Sequence, residues 1–193
     1  MIRKDEIEIL ALEALDKAPP ASQLAEPLNY IFAEHFRQRV LCNILECIAD
    51  QATLNRTKVI AALRFLKLDF GPHIIDEEED LFPMLRRRAE PEDRIDDVLS
   101  ELTQEHAADK LDAEQIMDGL SDVLADKGAS ILPVSLVKLL HRFAENERHH
   151  LTLENAIVLP LARVRLTTDD LRNMANRMAT RRGISLPELS HAV

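Results

Sequence analysis

Two short stretches of this chain carry the same side chains in the same order. His73-Ile74-Ile75-Asp76-Glu77 is followed by Leu81-Phe82-Pro83, and His150-Leu151-Thr152-Leu153-Glu154 by Val158-Leu159-Pro160. An interval of 77 residues separates His73 from His150, Glu77 from Glu154 and Pro83 from Pro160. On a helix, positions four apart lie one above the other on the same face, so each imidazole shares its space with a carboxylate. Convergence of the two pairs would place two imidazoles and two carboxylates around one point. That donor set suits a redox-capable or Lewis-acidic transition metal better than Ca²⁺ or Mg²⁺. Two more histidines, His35 and His106, each lie one predicted helix before a His-x-x-x-Glu pair. A lone helical histidine is more often a surface or satisfied core residue. One on each of four helices, with two carboxylates able to bridge, would instead complete a dinuclear site inside a bundle.

The elements that must position these groups follow from periodicity. Residues 3–17 alternate charge with Ile7, Ile9, Leu10, Leu12 and Leu15, which predicts a short amphipathic helix ended by Pro19-Pro20. A long helix is expected from about Gln23 to Gln51, with Leu28, Ile31, Phe32, His35, Val40, Cys42, Ile44, Leu45 and Ile48 on its apolar face. Asn55-Arg56-Thr57 is a turn and N-cap signal. The second long helix runs from about Thr57 to Arg88, with a kink or break expected at Gly71-Pro72. Pro91 is read as opening the third, to about Asp126, with Val98, Leu102, His106, Leu111 and Ile116 among its inward positions. Pro133 fits the first turn of the fourth, which reaches about Val164. A last amphipathic helix spans Thr168 to about Arg181 before Gly183 and a polar tail. The fold class is therefore all-α: an up-down-up-down four-helix bundle, core about 24–164, flanked by short helices at about 3–17 and 168–181.

At 193 residues the chain reads as one domain, 1–193. A formal charge of −10 offers no surface suited to nucleic acid. No apolar run reaches the roughly 18 to 20 residues of a membrane span. The N-terminus turns acidic before any signal-like apolar stretch, so a cytoplasmic protein is expected. Cys42 and Cys47, five apart in a helical pattern, fit reduced thiols rather than a local disulfide or zinc knuckle. A nucleophile elbow, a phosphate loop, a dinucleotide fingerprint and a His-Glu-x-x-His protease motif are all missing from the sequence. Ferritin-type sites use Glu-x-x-His, reversed in order and shorter in spacing, so that route to an iron oxidase is not supported.

The pattern resembles the hemerythrin-like family, in the branch called the HHE cation-binding domain. The matching residues are His35 within Ala33-Glu34-His35-Phe36-Arg37, the run His73 to Pro83, Glu105-His106, and the run His150 to Pro160. The resemblance covers about residues 24–164. It implies a four-helix bundle holding a non-haem diiron centre, two iron ions with an oxo or hydroxo bridge, with Mn or Zn as other occupants. It further implies His35, His73, His106 and His150 as terminal ligands and Glu77 and Glu154 as bridges.

The chain departs from the family's oxygen carriers at two places. Lys110 stands where they have an extra histidine four residues after the third-helix ligand. Their fourth-helix carboxylate lies five after the His, where this chain has Asn155. Stable reversible O₂ carriage is thereby in doubt. His149 points about 100° away from His150 around the helix, and His141 lies roughly 13 Å along the axis. Both are read as non-ligands, as is His191 in the tail. Cys42 and Tyr30 read as core residues. Glu78, Glu79 and Asp80 read mainly as a solvated face, with one of them, Glu34 or Glu105 available as outer support for a ligand. Arg172, Arg177, Arg181 and Arg182 form a basic stripe expected to pack on the acidic bundle.

The expected function is a hemerythrin-like diiron protein that binds or reacts with O₂, NO or a related oxidant, as sensor, scavenger or stress-response iron protein. Its partner is then a small diatomic or peroxide ligand. Two other readings stay open at this level: a diiron enzyme with peroxidase-like or NO-reducing turnover, and a helical interaction module with a structural metal. Metal identity, redox partner and oligomeric state are not written in the motif.

Overall fold

The computed structural model describes residues 4–186. Helix α1 (Lys4–Asp16) is followed by a 3₁₀ turn at Ala21–Ala25 and by α2 (Pro27–Asp50). Helix α3 (residues 56–88) is continuous but varied. Its α-helical segments Arg56–Phe65, Gly71–Ile75 and Phe82–Arg88 are joined by π-helical turns at Leu66–Phe70 and Asp76–Leu81. Helix α4 is Ile95–Ala125. Helix α5 (residues 134–165) has one π turn, Glu154–Val158, between Val134–Leu153 and Leu159–Arg165. The last helix, α6, is Thr168–Arg181. Helices α2 and α4 run one way and α3 and α5 the other, as the sequence predicts.

The expected kink or break at Gly71-Pro72 resolves differently. Phe70 and Gly71 keep helical dihedrals, and the chain continues without interruption. Pro72, Pro83 and Pro160 each lie two residues beyond a π turn. A proline removes one N–H and crowds the carbonyl a turn before it. Widening that turn to the π spacing absorbs the misfit, so the helix survives. The reading of Pro91 as a helix start is also corrected. Pro91–Asp93 is a separate 3₁₀ turn closed by a capping box between Glu90 and Asp93, and Arg94 turns left-handed (φ 50°) before α4 begins at Ile95. Pro133 is the residue just before α5 rather than within its first turn. Asn55 caps α3, its side-chain oxygen accepting from the Lys58 N–H.

Buried apolar side chains form two clusters. One gathers Leu41, Leu45, Val59, Phe70, Ala113, Ile116, Leu140 and Phe143, with the second half of α1 packed on it through Leu12 and Leu15. The other gathers Ile31, Leu81, Phe82, Leu99, Leu102 and Val158 with Met174 and Met178 of α6. Between the two clusters the buried residues of α2, α3 and α4 are polar, and on α5 Glu147, His150 and Glu154 lie there beside Ala144 and Leu151. Several residues placed inward by periodicity lie outside the core: Ile7, Ile9 and Leu10 on α1, Phe32 on α2 and Leu111 on α4 are exposed. Periodicity marks a face but not how far along the helix the neighbouring helices cover it. Among the described residues no helix is long and apolar enough to cross a membrane.

Candidate metal centre

The polar layer between the clusters contains all six residues singled out from the sequence. His35 comes from α2, His73 and Glu77 from α3, His106 from α4, and His150 and Glu154 from α5; all are buried. Glu77 and Glu154 sit in π turns, each four residues after its histidine. Nε2 of His35 lies 3.1 Å from Glu77 Oε1 and 3.3 Å from Glu154 Oε2. Glu77 Oε2 lies 3.2 Å from His73 Nε2 and 3.4 Å from His106 Nε2, and Glu154 Oε1 lies 3.2 Å from His150 Nε2.

These contacts resolve into two overlapping groups. Donor atoms of His35, His73, Glu77 and Glu154 lie within 4.8 Å of one another, and so do those of Glu77, His106, His150 and Glu154. The two carboxylates belong to both groups, as bridges between two ions would. Glu77 Oε2 and both Glu154 oxygens are buried without a hydrogen bond among the described residues, despite the imidazole nitrogens beside them. Unpaired lone pairs crowded round two shared points suit metal ligation better than hydrogen-bonded pairing, and buried polar atoms left otherwise unmatched are rare. The donor set therefore fits a binuclear metal site.

Outer partners turn three of the four rings. Nδ1 of His35 donates to Asn155 Oδ1 at 3.0 Å, that of His106 to Glu78 Oε1 at 2.7 Å, and that of His150 to Glu105 Oε2 at 2.9 Å. A proton held on Nδ1 leaves Nε2 as the free lone pair aimed at the carboxylates. Asn155 is itself oriented by donating from Nδ2 to the Leu151 carbonyl at 2.6 Å. Phe82 lies parallel to the His106 ring, centroids 5.7 Å apart, and fixes its plane.

In the metal-free chain, burial pulls the imidazoles down but the carboxylates overcome it. His73 and His106 are raised to about 9, through Glu77 for the first and Glu77 with Glu78 for the second. His150 is raised to about 11 by Glu154. Burial pushes Glu77 up, yet the His73 charge beside it holds its carboxyl well below the usual range. Protons occupy this layer until a metal displaces them.

Several secondary expectations hold and others change. Glu78 and Glu105 are the outer supports; Glu34 is not, being paired with Arg37 at 3.0 Å. Asp80 is buried, contrary to the solvated-face reading, and so is Asp76. Arg181 and Arg182 meet Asp76, and Arg177 and Arg181 meet Asp80, so the basic stripe of α6 does pack on acids of the bundle. Arg172 does not take part and pairs locally with Asp169. His149 is exposed, and His141 faces Asp50 at 3.0 Å. Lys110 is exposed and His191 lies outside the described residues. Cys42 is buried, and burial raises its thiol far above the usual range, which keeps it protonated. Tyr30 is buried under the Arg182 guanidinium, 5.0 Å from the ring centre.

Two buried acids were not legible as site residues. Asp109 is raised to about 6 and Glu147 to about 7, in both cases chiefly by burial, with Asp109 adding to the shift on Glu147. Their only signal in the sequence is position, three after His106 and three before His150.

A family comparison agrees with this geometry. The hemerythrin HHE cation-binding domain matches residues 26–162. The chain belongs to the hemerythrin HHE family. A comparison with curated proteins finds no match. The hemerythrin match includes all six clustered residues and ends before α6, so the arginines that reach Asp76 and Asp80 come from outside the matched segment.

Proposed function

We propose that the chain holds a diiron centre at which O₂, NO or a related oxidant binds or reacts, and that it serves as a sensor, scavenger or stress-response iron protein. The observation that carries this reading is the pair of four-residue groups sharing Glu77 and Glu154. In it, His35, His73, His106 and His150 are terminal ligands through Nε2, and the two glutamates bridge. Bound iron would supply one-electron chemistry and Lewis acidity at coordination positions the protein leaves open. The chain's own part is positional and electrostatic. Two carboxylates offset part of the charge of two cations, and four neutral imidazoles complete the ligation without adding charge. Asn155, Glu78 and Glu105 hold the Nδ1 protons of three rings, which fixes the tautomer and raises ligand basicity. The apolar clusters on either side keep bulk water from the layer. An imidazole-rich set with two carboxylates favours iron over the oxygen-loving Mn²⁺. Free thiols at Cys42 and Cys47 fit a reducing, cytoplasmic setting.

The deciding experiment is elemental analysis of untagged protein purified without added metal, followed by exposure of the anaerobically reduced protein to O₂ or to NO. Two irons per chain and an absorption change on exposure are the expected results. Zinc at full occupancy with no response to either gas would overturn the reading.

A further inference from the structure

Buried carboxylates elsewhere in this chain have a cation. Glu34 meets Arg37, Asp76 meets Arg181 and Arg182, Asp80 meets Arg177 and Arg181, and Asp170 meets Arg87 and Arg88. Asp109 and Glu147 are just as buried, each 2 % exposed, and among the described residues have neither an ion pair nor a hydrogen bond. A buried carboxyl with no arginine, lysine or hydrogen-bond donor against it costs folding energy, and the only positive groups that act on these two are the imidazoles of the metal layer.

Their position suggests a function. Asp109 lies one turn after His106 and Glu147 one turn before His150. Because α4 and α5 run antiparallel, both steps lead to the same side of the metal layer and to the same level. Gln38, one turn after His35 on α2, reaches that level too, and its buried Nε2 has no partner. Solvent approaches through a groove of about 360 Å³ between α4 and α5, lined by Glu105, Ala108, Asp109, Glu145, Asn146 and His149. From outside inward the acids form a graded series: Glu145 exposed, Glu105 partly buried, then Asp109, Glu147 and Glu154 buried. Arg142, the arginine on the adjoining turn of α5, is committed to Asp112 at 2.7 Å and does not neutralise them.

We propose that Glu145, Asp109 and Glu147 form the path by which a divalent transition-metal ion reaches the dinuclear centre, an inference that rests on the metal-binding reading above. Carboxylate oxygens can replace the water ligands of an incoming ion one at a time without holding it tightly. The mixed imidazole and carboxylate set beyond them then outcompetes them for a transition metal. The line of like charge also concentrates cations at the groove and raises the association rate.

The test is anaerobic stopped-flow loading of the metal-free full chain with Fe²⁺, repeated with Co²⁺ for its visible absorption. Wild type is compared with Asp109→Asn, Glu147→Gln, and Glu92→Gln as a charge-matched control on the turn at the far end of the bundle. Asp109→Asn and Glu147→Gln should each load about tenfold more slowly, the lower range of electrostatic steering effects. Both should end at the wild-type metal content, and the control should load at the wild-type rate. Both amides are isosteric with the acids they replace, neither of which has an arginine or lysine partner, and thermal melts of the variants check that the fold is kept. Wild-type rates in both variants would overturn the path. A lower final metal content would overturn it too, by making these residues ligands. Failure of wild type itself to take up two ions would instead defeat the metal-binding reading, and the path with it.

Discussion

The two copies of the His-x-x-x-Glu motif hold the same donors by different means. In the first, the π turn carrying Glu77 is gripped from outside. Asp76 and Asp80, on either side of Glu77, are buried against Arg177, Arg181 and Arg182 of α6, and Glu78 of the same turn supports His106. In the second, the turn carrying Glu154 has no arginine brace among the described residues. It includes exposed Ala156 and Ile157 and relies on Asn155, which bonds back to its own helix and across to His35. Reach differs as well. Glu77 stands against His35, His73 and His106, Glu154 against His35 and His150 only. A repeated motif can thus keep its chemistry while each copy acquires its own support, one charged and tertiary, one neutral and local.

The largest contrast should come from the bridges themselves. Glu77→Ala removes a carboxylate from three imidazoles and is expected to lose both metals, whereas Glu154→Ala should retain more of the first-half ion. Elemental analysis after dialysis reads this directly, and full retention in both variants would remove them from the ligand set. Next is the arginine grip. Arg181→Gln with Arg182→Gln leaves Asp76 buried and without its charge partners, a loss of about 3 kcal/mol on the scale of broken buried ion pairs. Thermal or denaturant unfolding should show it, with metal release from the first half accelerated. An unchanged melt would mean that α6 merely rests on the bundle.

pH should separate the halves further. The raised imidazoles of the metal-free chain stabilise its fold fully below the ordinary histidine value near 6.5, and that stability is lost as pH rises through the folded values. His73 and His106 give up their protons at about 9 and His150 at about 11, so the His150–Glu154 pair should be the last to loosen. Conversely, metal must expel these protons, so affinity should fall as pH drops below about 9, by about tenfold per unit for each proton displaced. Titration calorimetry in buffers of different ionisation heat counts those protons, and a pH-independent affinity would contradict the assignment. The smallest effect should be Asn155→Ala. Loss of the His35 Nδ1 acceptor is expected to weaken metal binding by about tenfold, the lower end for outer-shell changes. Equal weakening by removal of an unrelated exposed amide would show that Asn155 has no special place.

His73 with Glu77 and His150 with Glu154 could be read from spacing because a helix converts a separation of four residues into a shared face, whatever surrounds it, whereas His35 and His106 were legible only from their place one helix before each pair and from the family resemblance. The same regularity exposed the four long helices and the C-terminal Thr168–Arg181 segment, whose observed bounds agree with the expectation. Proline chemistry was less transparent. Gly71-Pro72 reads as a break in one dimension, yet packing on both sides held the helix together and pushed the strain into a π turn. Pairings between distant segments have no local signature at all. Asp76 beside Glu77 looks like one more surface acid until α6 folds back over it, and Asn155 looks like a missing ligand until His35 arrives from a helix 120 residues away.

Asp109 and Glu147 show the limit most sharply. Each is an ordinary acid in a charged helix, and only the antiparallel packing of α4 and α5 brings them to one level behind the metal layer with no arginine or lysine paired to them. Donor identity and local spacing are properties of the chain, since they depend on covalent order and helical pitch. Burial, charge compensation and access to the centre are properties of the packed bundle, because they depend on which helices meet and where water is shut out.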